Sequence, residues 1–241
     1  METTPSELTL RLRDAGPREL AELVAAHLEQ MTVGEAIQAL RNSHVDTESL
    51  ALVARERRLV SAAEVRRLLA LHPRTPEAAV SFLIPTLAWP DLVAMGVEMR
   101  LKPSVRRAAD RQLLARLPGL AVGEKITIAR RAGSGLIEVL RHDPTPRVIA
   151  ALLENPRLTE GLVDGLARSE RASPVILELL ARDRRWGVRH DLRYALVRNP
   201  RTPLVASLPL LPSLRKLELR EVAEDRRLPE PLRQRAKLLL G

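Results

Sequence analysis

The chain has 241 residues, of which 45% are hydrophobic, 2% aromatic and none cysteine, with a formal net charge of +9. The missing thiols exclude disulfides, thiolate metal sites and a cysteine nucleophile. The core must therefore be built from Leu, Ala, Val and Ile, and every basic residue other than Lys102, Lys125, Lys216 and Lys237 is an arginine.

From the N-terminus onward the sequence reads as short helices punctuated by proline. Met1-Glu2-Thr3-Thr4 does not begin a signal peptide and no apolar run approaches the ~18 residues of a membrane span, so a soluble cytoplasmic protein is expected. Helix starts are expected at Thr4-Pro5, Thr75-Pro76, Thr145-Pro146, Ser173-Pro174 and Thr202-Pro203. Each places a hydroxyl at the N-cap and proline at the first helical position, where its missing N–H breaks no hydrogen bond. Gly119, Gly123, Gly133 and Gly135 surround Glu124-Lys125 in an irregular joint. The Gly-Lys-Ser/Thr order of a phosphate-binding loop is missing there, and a capped helix start is the favoured reading. Next, Arg147 to Leu153 reads as a helix stopped by Asn155-Pro156. Leu162, Val163 and Leu166 mark a second, and Ser173-Pro174 opens a third that ends at Asp183. A closing helix runs from Pro229 to Leu240. No alternating strand pattern stands out.

These elements recur. Asp14, Glu56, Glu98, Asp143, Asp183 and Asp225 end the same pattern at nearly even steps. A sustained period of roughly 42 positions indicates a helical unit stacked on itself. One ungapped shift of the chain lays Pro73-Arg74-Thr75-Pro76 on Pro200-Arg201-Thr202-Pro203, and Arg57-Arg58 on Arg184-Arg185. From residue 53 to 113 roughly a third of the positions meet an identical partner at 180–240, far above chance. The sequence thus predicts an all-α protein, a single α-α superhelix over residues 1–241, with about five units of three helices plus the closing helix.

Asp183-Arg184-Arg185-Trp186-Gly187-Val188-Arg189 resembles the second half of a HEAT motif, an acid followed six residues later by Arg. Asn199-Pro200-Arg201-Thr202-Pro203 resembles the turn of leucine-rich-variant repeats. The resemblance covers nearly the whole chain and is weakest in residues 1–45. It implies a HEAT/armadillo-like solenoid in which acid and arginine side chains ladder along the stack. A known leucine-rich-variant protein carries an iron–sulfur cluster, which this cysteine-free chain cannot match. Such folds serve diverse functions, so the resemblance alone implies none.

The candidate binding residues follow from the internal alignment. Arg58, Arg100, Arg185 and Arg227 each lie two residues after a recurring acid, so stacked units would set them in rows on one edge. Such rows could track an acidic chain or phosphates, or cap helix C-termini, and capping is favoured. Trp186 with Asp191 and Tyr194 suggests a base-binding cleft like that of helical DNA glycosylases. Yet Trp186 aligns with Leu59, Leu101 and Leu228, which favours packing. Trp89 aligns with Lys216 and is expected to be more exposed, as an interface anchor would be. Phe82 aligns with Pro209 and suggests nothing. The histidines, His27, His44, His72, His142 and His190, show no ligand spacing, and His72 takes the turn position of Asn199. No catalytic set, metal site or cofactor site is expected. The expectation is a non-enzymatic scaffold with a protein or peptide partner; the alternative is a nucleic-acid binder, with a glycosylase-like form among its variants.

Overall fold

The fold is given by a computed structural model that describes residues 7–241, so the Thr4-Pro5 helix start lies outside the described residues. The protein is all-helical, with no strand among those residues, an architecture with which a helical solenoid is compatible. The chain divides into two compact units, residues 1–119 and 120–241.

In the first unit the helices are α1 (Glu7–Asp14), α2 (Pro17–His27), α3 (Val33–Arg41), α4 (Thr47–Arg55), the one-turn α5 (Arg57–Val60), α6 (Ala63–Leu71), α7 (Glu77–Leu83), α8 (Trp89–Val97) and α9 (Pro103–Arg116). The second unit holds α10 (Val122–Arg131), α11 (Ser134–Leu140), α12 (Pro146–Leu153), α13 (Glu160–Arg168), α14 (Pro174–Arg182), α15 (His190–Arg198), α16 (Leu204–Ser207), α17 (Lys216–Glu224) and the closing α18 (Glu230–Leu240). The shift that lays Pro73 on Pro200 also carries α3, α4, α6 and α8 onto both ends of α13, α14, α15 and α17. The duplication seen in the sequence is therefore one of helix order, and it extends upstream of residue 53.

Local signals explain the boundaries. Thr32 accepts from the Glu35 N–H while the Glu35 carboxylate accepts from the Thr32 N–H at 2.8 Å, a reciprocal cap that starts α3. Asp46 accepts from the Ser49 N–H to start α4. Ser173 accepts from the Ile176 N–H ahead of Pro174, as expected for α14. The other Thr-Pro starts differ. Pro76 and Pro203 are themselves the N-caps of α7 and α16, in extended backbone. Proline at the cap moves the preceding threonine out of reach of the first-turn N–H groups. The Thr75 hydroxyl turns back instead and donates to the Leu69 carbonyl at 2.7 Å, closing the end of α6. Thr145 is the N-cap of α12, but its hydroxyl makes no capping bond there.

Packing skips one helix, the one-turn α5 not being counted. In the first unit α2 packs on α4, α4 on α7 and α7 on α9, while α1 packs on α3, α3 on α6 and α6 on α8. The second unit repeats this, with α10, α12, α14 and α16 in one layer and α13, α15 and α17 in the other. Successive helices of one layer start at Pro17, Thr47 and Glu77, a shorter step than the one from Asp14 to Glu56 to Glu98. The recurrence of the acids counts three helices and the stacking counts two, so the acids fall at helix ends of both layers. The first-unit core holds Leu12, Leu20, Leu50, Leu69 and Leu83 among others, and the second unit has its own around Leu211, Val222 and Ala236. Each fully buried leucine contributes about 1.5–3 kcal/mol.

Candidate interaction surface

From Glu56 onward the recurring acids close turns. Glu56, Glu98, Asp143, Asp183 and Asp225 accept from the backbone N–H two residues on, at 2.8–3.3 Å. Asn42, His72, Asn155, Ser169 and Asn199 do the same at the other helix ends. His72 is thus a turn residue, accepting through Nδ1. The feature is a helix stop, made by any side chain with a suitable acceptor.

A second set of bonds ties each helix end to the one before it in its layer. The Asn42 amide donates to the carbonyls of Leu12, Arg13 and Ala15, the Asn155 amide to Ala129 and Ala132, and the Asn199 amide to Ala167 and Ser169. The Arg58 guanidinium donates to the carbonyls of Leu28, Glu29 and Met31, and Arg185 to that of Asn155. Arg74, Arg116 and Arg201 reach back in the same way. These donors satisfy carbonyls left open where a helix ends.

The four candidate arginines separate into two pairs. Arg58 and Arg185, which the internal shift lays on one another, cap the preceding helix of their layer. Arg100 and Arg227 instead fold onto their own acids, Glu98 at 3.0 Å and Asp225 at 2.9 Å. The Arg100 guanidinium and its backbone N–H hold the Glu98 carboxyl down to about 2, and Arg227 does the same for Asp225, also to about 2. Arg58 follows α4 and Arg100 follows α8, in different layers, so the expected row on one edge does not form.

Most other arginines with described partners are also engaged internally. Arg41 bridges to Glu64, Arg130 to Glu154, Arg189 to Glu160 and Arg198 to both Glu221 and Asp225. Lys125 pairs with the nearly buried Asp143 at 3.4 Å, and the Glu124 carboxylate accepts from the Ala121 N–H, so the glycine-flanked Glu124-Lys125 is a capped helix start.

Trp186 is 2% exposed. Its Nε1 donates to the Leu153 carbonyl at 3.1 Å, and the Arg185 guanidinium lies 4.3 Å from the ring centroid. Asp191 and Trp186 line a small pocket of about 240 Å³ with Asp164 and Arg168. The ring face and N–H of Trp186 are already spent. Tyr194 turns elsewhere, its hydroxyl donating to Glu221 on α17. Trp186 and Asp191 therefore share this pocket, while Tyr194 lies outside it. Trp89 is half-buried as the first residue of α8, the position of Lys216 in α17, and is the more open of the two tryptophans.

Phe82, which the sequence did not single out, is 75% exposed on α7. The buried face of α7 is Val80 and Leu83, and Phe82 lies outside that stripe. It borders a pocket of about 360 Å³ lined by Ala51 and Ala54 of α4, Ala78 and Ala79 of α7, and Arg55 and Arg57. Small side chains on both facing helices hold the groove open. The available signal was a phenylalanine off the helix's apolar stripe, opposite a run of alanines.

Among the described residues no cluster of three His or acidic side chains could hold a metal, and no helix is long and apolar enough to cross a membrane. Comparison with family models, curated proteins and solved structures yields no significant match to the chain.

Proposed function

We propose that this chain is a HEAT-like helical-repeat scaffold that binds a protein or peptide partner and catalyses no reaction. The observation that carries the reading is Phe82, a large aromatic side chain 75% exposed beside an apolar groove in a chain with one phenylalanine. Leaving such a ring in water forgoes burial that a partner would restore, and aromatic residues are enriched among interface anchors. Trp89, at the start of the next helix, is a second candidate anchor.

The alternative partner, nucleic acid, draws on the net charge of +9. It is weakened by the use of Arg58 and Arg185 as carbonyl caps and of Arg100 and Arg227 as partners of their own acids. The two readings separate on one selection. A random heptapeptide display library panned on the protein should enrich sequences whose binding is lost with Phe82→Ala. Equal enrichment on protein and variant would place the binding away from Phe82, and none on either would end this reading. Affinity for duplex DNA falling with log salt at a slope near −0.9 per phosphate contact would favour the alternative.

A further inference from the structure

The internal duplication supplies a control for the α4–α7 groove. In the second unit Arg182 bonds to Glu178, one turn earlier on α14, at 2.5 Å. In the first unit the counterpart of Arg182 is Arg55 and that of Glu178 is Ala51. Arg55 therefore lacks the carboxylate that neutralises its copy. Among the described residues the Arg55 guanidinium has no ion pair or hydrogen bond, and neither does that of Arg57, and both residues are exposed. The pocket lining includes these two cations and no acid. The same comparison replaces Pro209 by Phe82 and Val205 by Ala78. So the first unit alone combines an opened apolar floor, an exposed aromatic wall and an unneutralised cationic rim.

We infer that the α4–α7 groove docks a short acidic peptide segment, one aliphatic or aromatic side chain entering the alanine-floored pocket and flanking carboxylates meeting Arg55 and Arg57. The inference rests on the scaffold reading above and specifies its partner. A volume of about 360 Å³ accommodates one large side chain rather than a folded domain. Arginine matches carboxylates with two parallel hydrogen bonds. Phosphate would meet the same two cations, but a phosphate backbone offers nothing to the apolar floor.

The test uses the full chain and three labelled heptapeptide pools with a central Leu or Phe, flanked by Asp/Glu, by Ser or by Lys, together with a single-stranded 20-nucleotide DNA. Fluorescence anisotropy should show the acidic pool bound most tightly, with affinity falling as salt rises. Phe82→Ala should weaken it about tenfold. Ala51→Glu, which installs the second unit's own carboxylate, should weaken it severalfold. Glutamate stands at that position of α14, so the helix tolerates it, and melting curves confirm that each variant folds. Ser- or Lys-flanked peptides binding as well as the acidic ones, still dependent on Phe82, would overturn the acidic assignment and leave the scaffold reading standing. Acidic binding unmoved by Phe82→Ala and Ala51→Glu would remove the groove as the site. No binding by any pool would overturn the inference and the peptide reading together. DNA binding abolished by Arg55→Glu, with no peptide bound, would assign the rim to phosphate.

Discussion

The side-chain amide of Asn199 donates to the carbonyl of Ala167 at 2.6 Å, joining the stop of α15 to the stop of α13 across 32 residues. The same asparagine accepts from the Arg201 N–H, so one side chain ends its own helix and caps its neighbour. Asn155 does both jobs at the end of α12, where it is fully buried.

Asn155→Ala should therefore be among the most damaging single changes in the second unit. It removes bonds to Ala129, Ala132 and the Arg157 N–H, and leaves buried carbonyls without a donor. The expected loss is about 2–4 kcal/mol in urea unfolding. A loss below ~0.5 kcal/mol would show that water replaces the amide there.

The candidate arginines should divide by role. Arg58→Gln loses three carbonyl contacts at the end of α2 and should destabilise by about 0.3–1 kcal/mol. Arg100→Gln and Arg227→Gln release only an exposed partner of the neighbouring acid, and their melting shifts should be smaller. Separate thermal melts of the single variants check the order. The reverse order would mean that the capping contacts contribute little.

The Asp225 carboxyl is held down to about 2, chiefly by the Arg227 guanidinium, with the Arg227 N–H and the charge of Arg198 adding to it against the opposing effect of burial. A carboxyl depressed in the folded state contributes stability that is full above its unfolded value of about 4 and is lost as pH falls through the folded value. Denaturant titrations between about pH 5 and 2 should show the wild type losing stability more steeply than Asp225→Asn. The two should run parallel above about pH 5, and parallel curves throughout would refute the coupling.

Gly187 sits in the turn that carries Trp186, where an added Cβ would lie 2.6 Å from the Ala181 carbonyl oxygen and 2.7 Å from that of Asp183. Both are backbone atoms that cannot swing away, so Gly187→Ala should destabilise by about 1–3 kcal/mol. Gly123→Ala is the control, since nothing lies within 4 Å of the new Cβ in α10. It should be neutral or stabilising by up to about 1 kcal/mol. Chemical unfolding of the two variants side by side decides this.

Helix order was legible wherever the signal was local. Ser173-Pro174 marks the start of α14 and Asn155-Pro156 the stop after α12, and the internal shift carries the boundaries of α14, though not those of α12, onto the first half. The burial of Trp186 was readable too, because leucine fills its equivalents. The Thr75-Pro76 and Thr202-Pro203 caps were misread by one residue, because either a threonine or the proline after it can take the extended cap position. The fates of Arg58 and Arg100 were not legible, since both follow an acid by two residues and differ in the layer their helices occupy.

Residue order was enough to establish an all-helical chain, its duplication and a core without aromatic rings apart from Trp186, because capping, apolar spacing and self-similarity act within one or two helices. The tertiary structure alone decided that helices stack on the next but one, that Arg58 is a cap while Arg100 is not, and that Phe82 stands in solvent beside an open groove. Those outcomes depend on contacts such as those of Arg58, between residues 27 to 30 apart, and on which helix face a neighbour covers. The period of the sequence, three helices, differs from the period of packing, two, so the pattern alone could not select the partners.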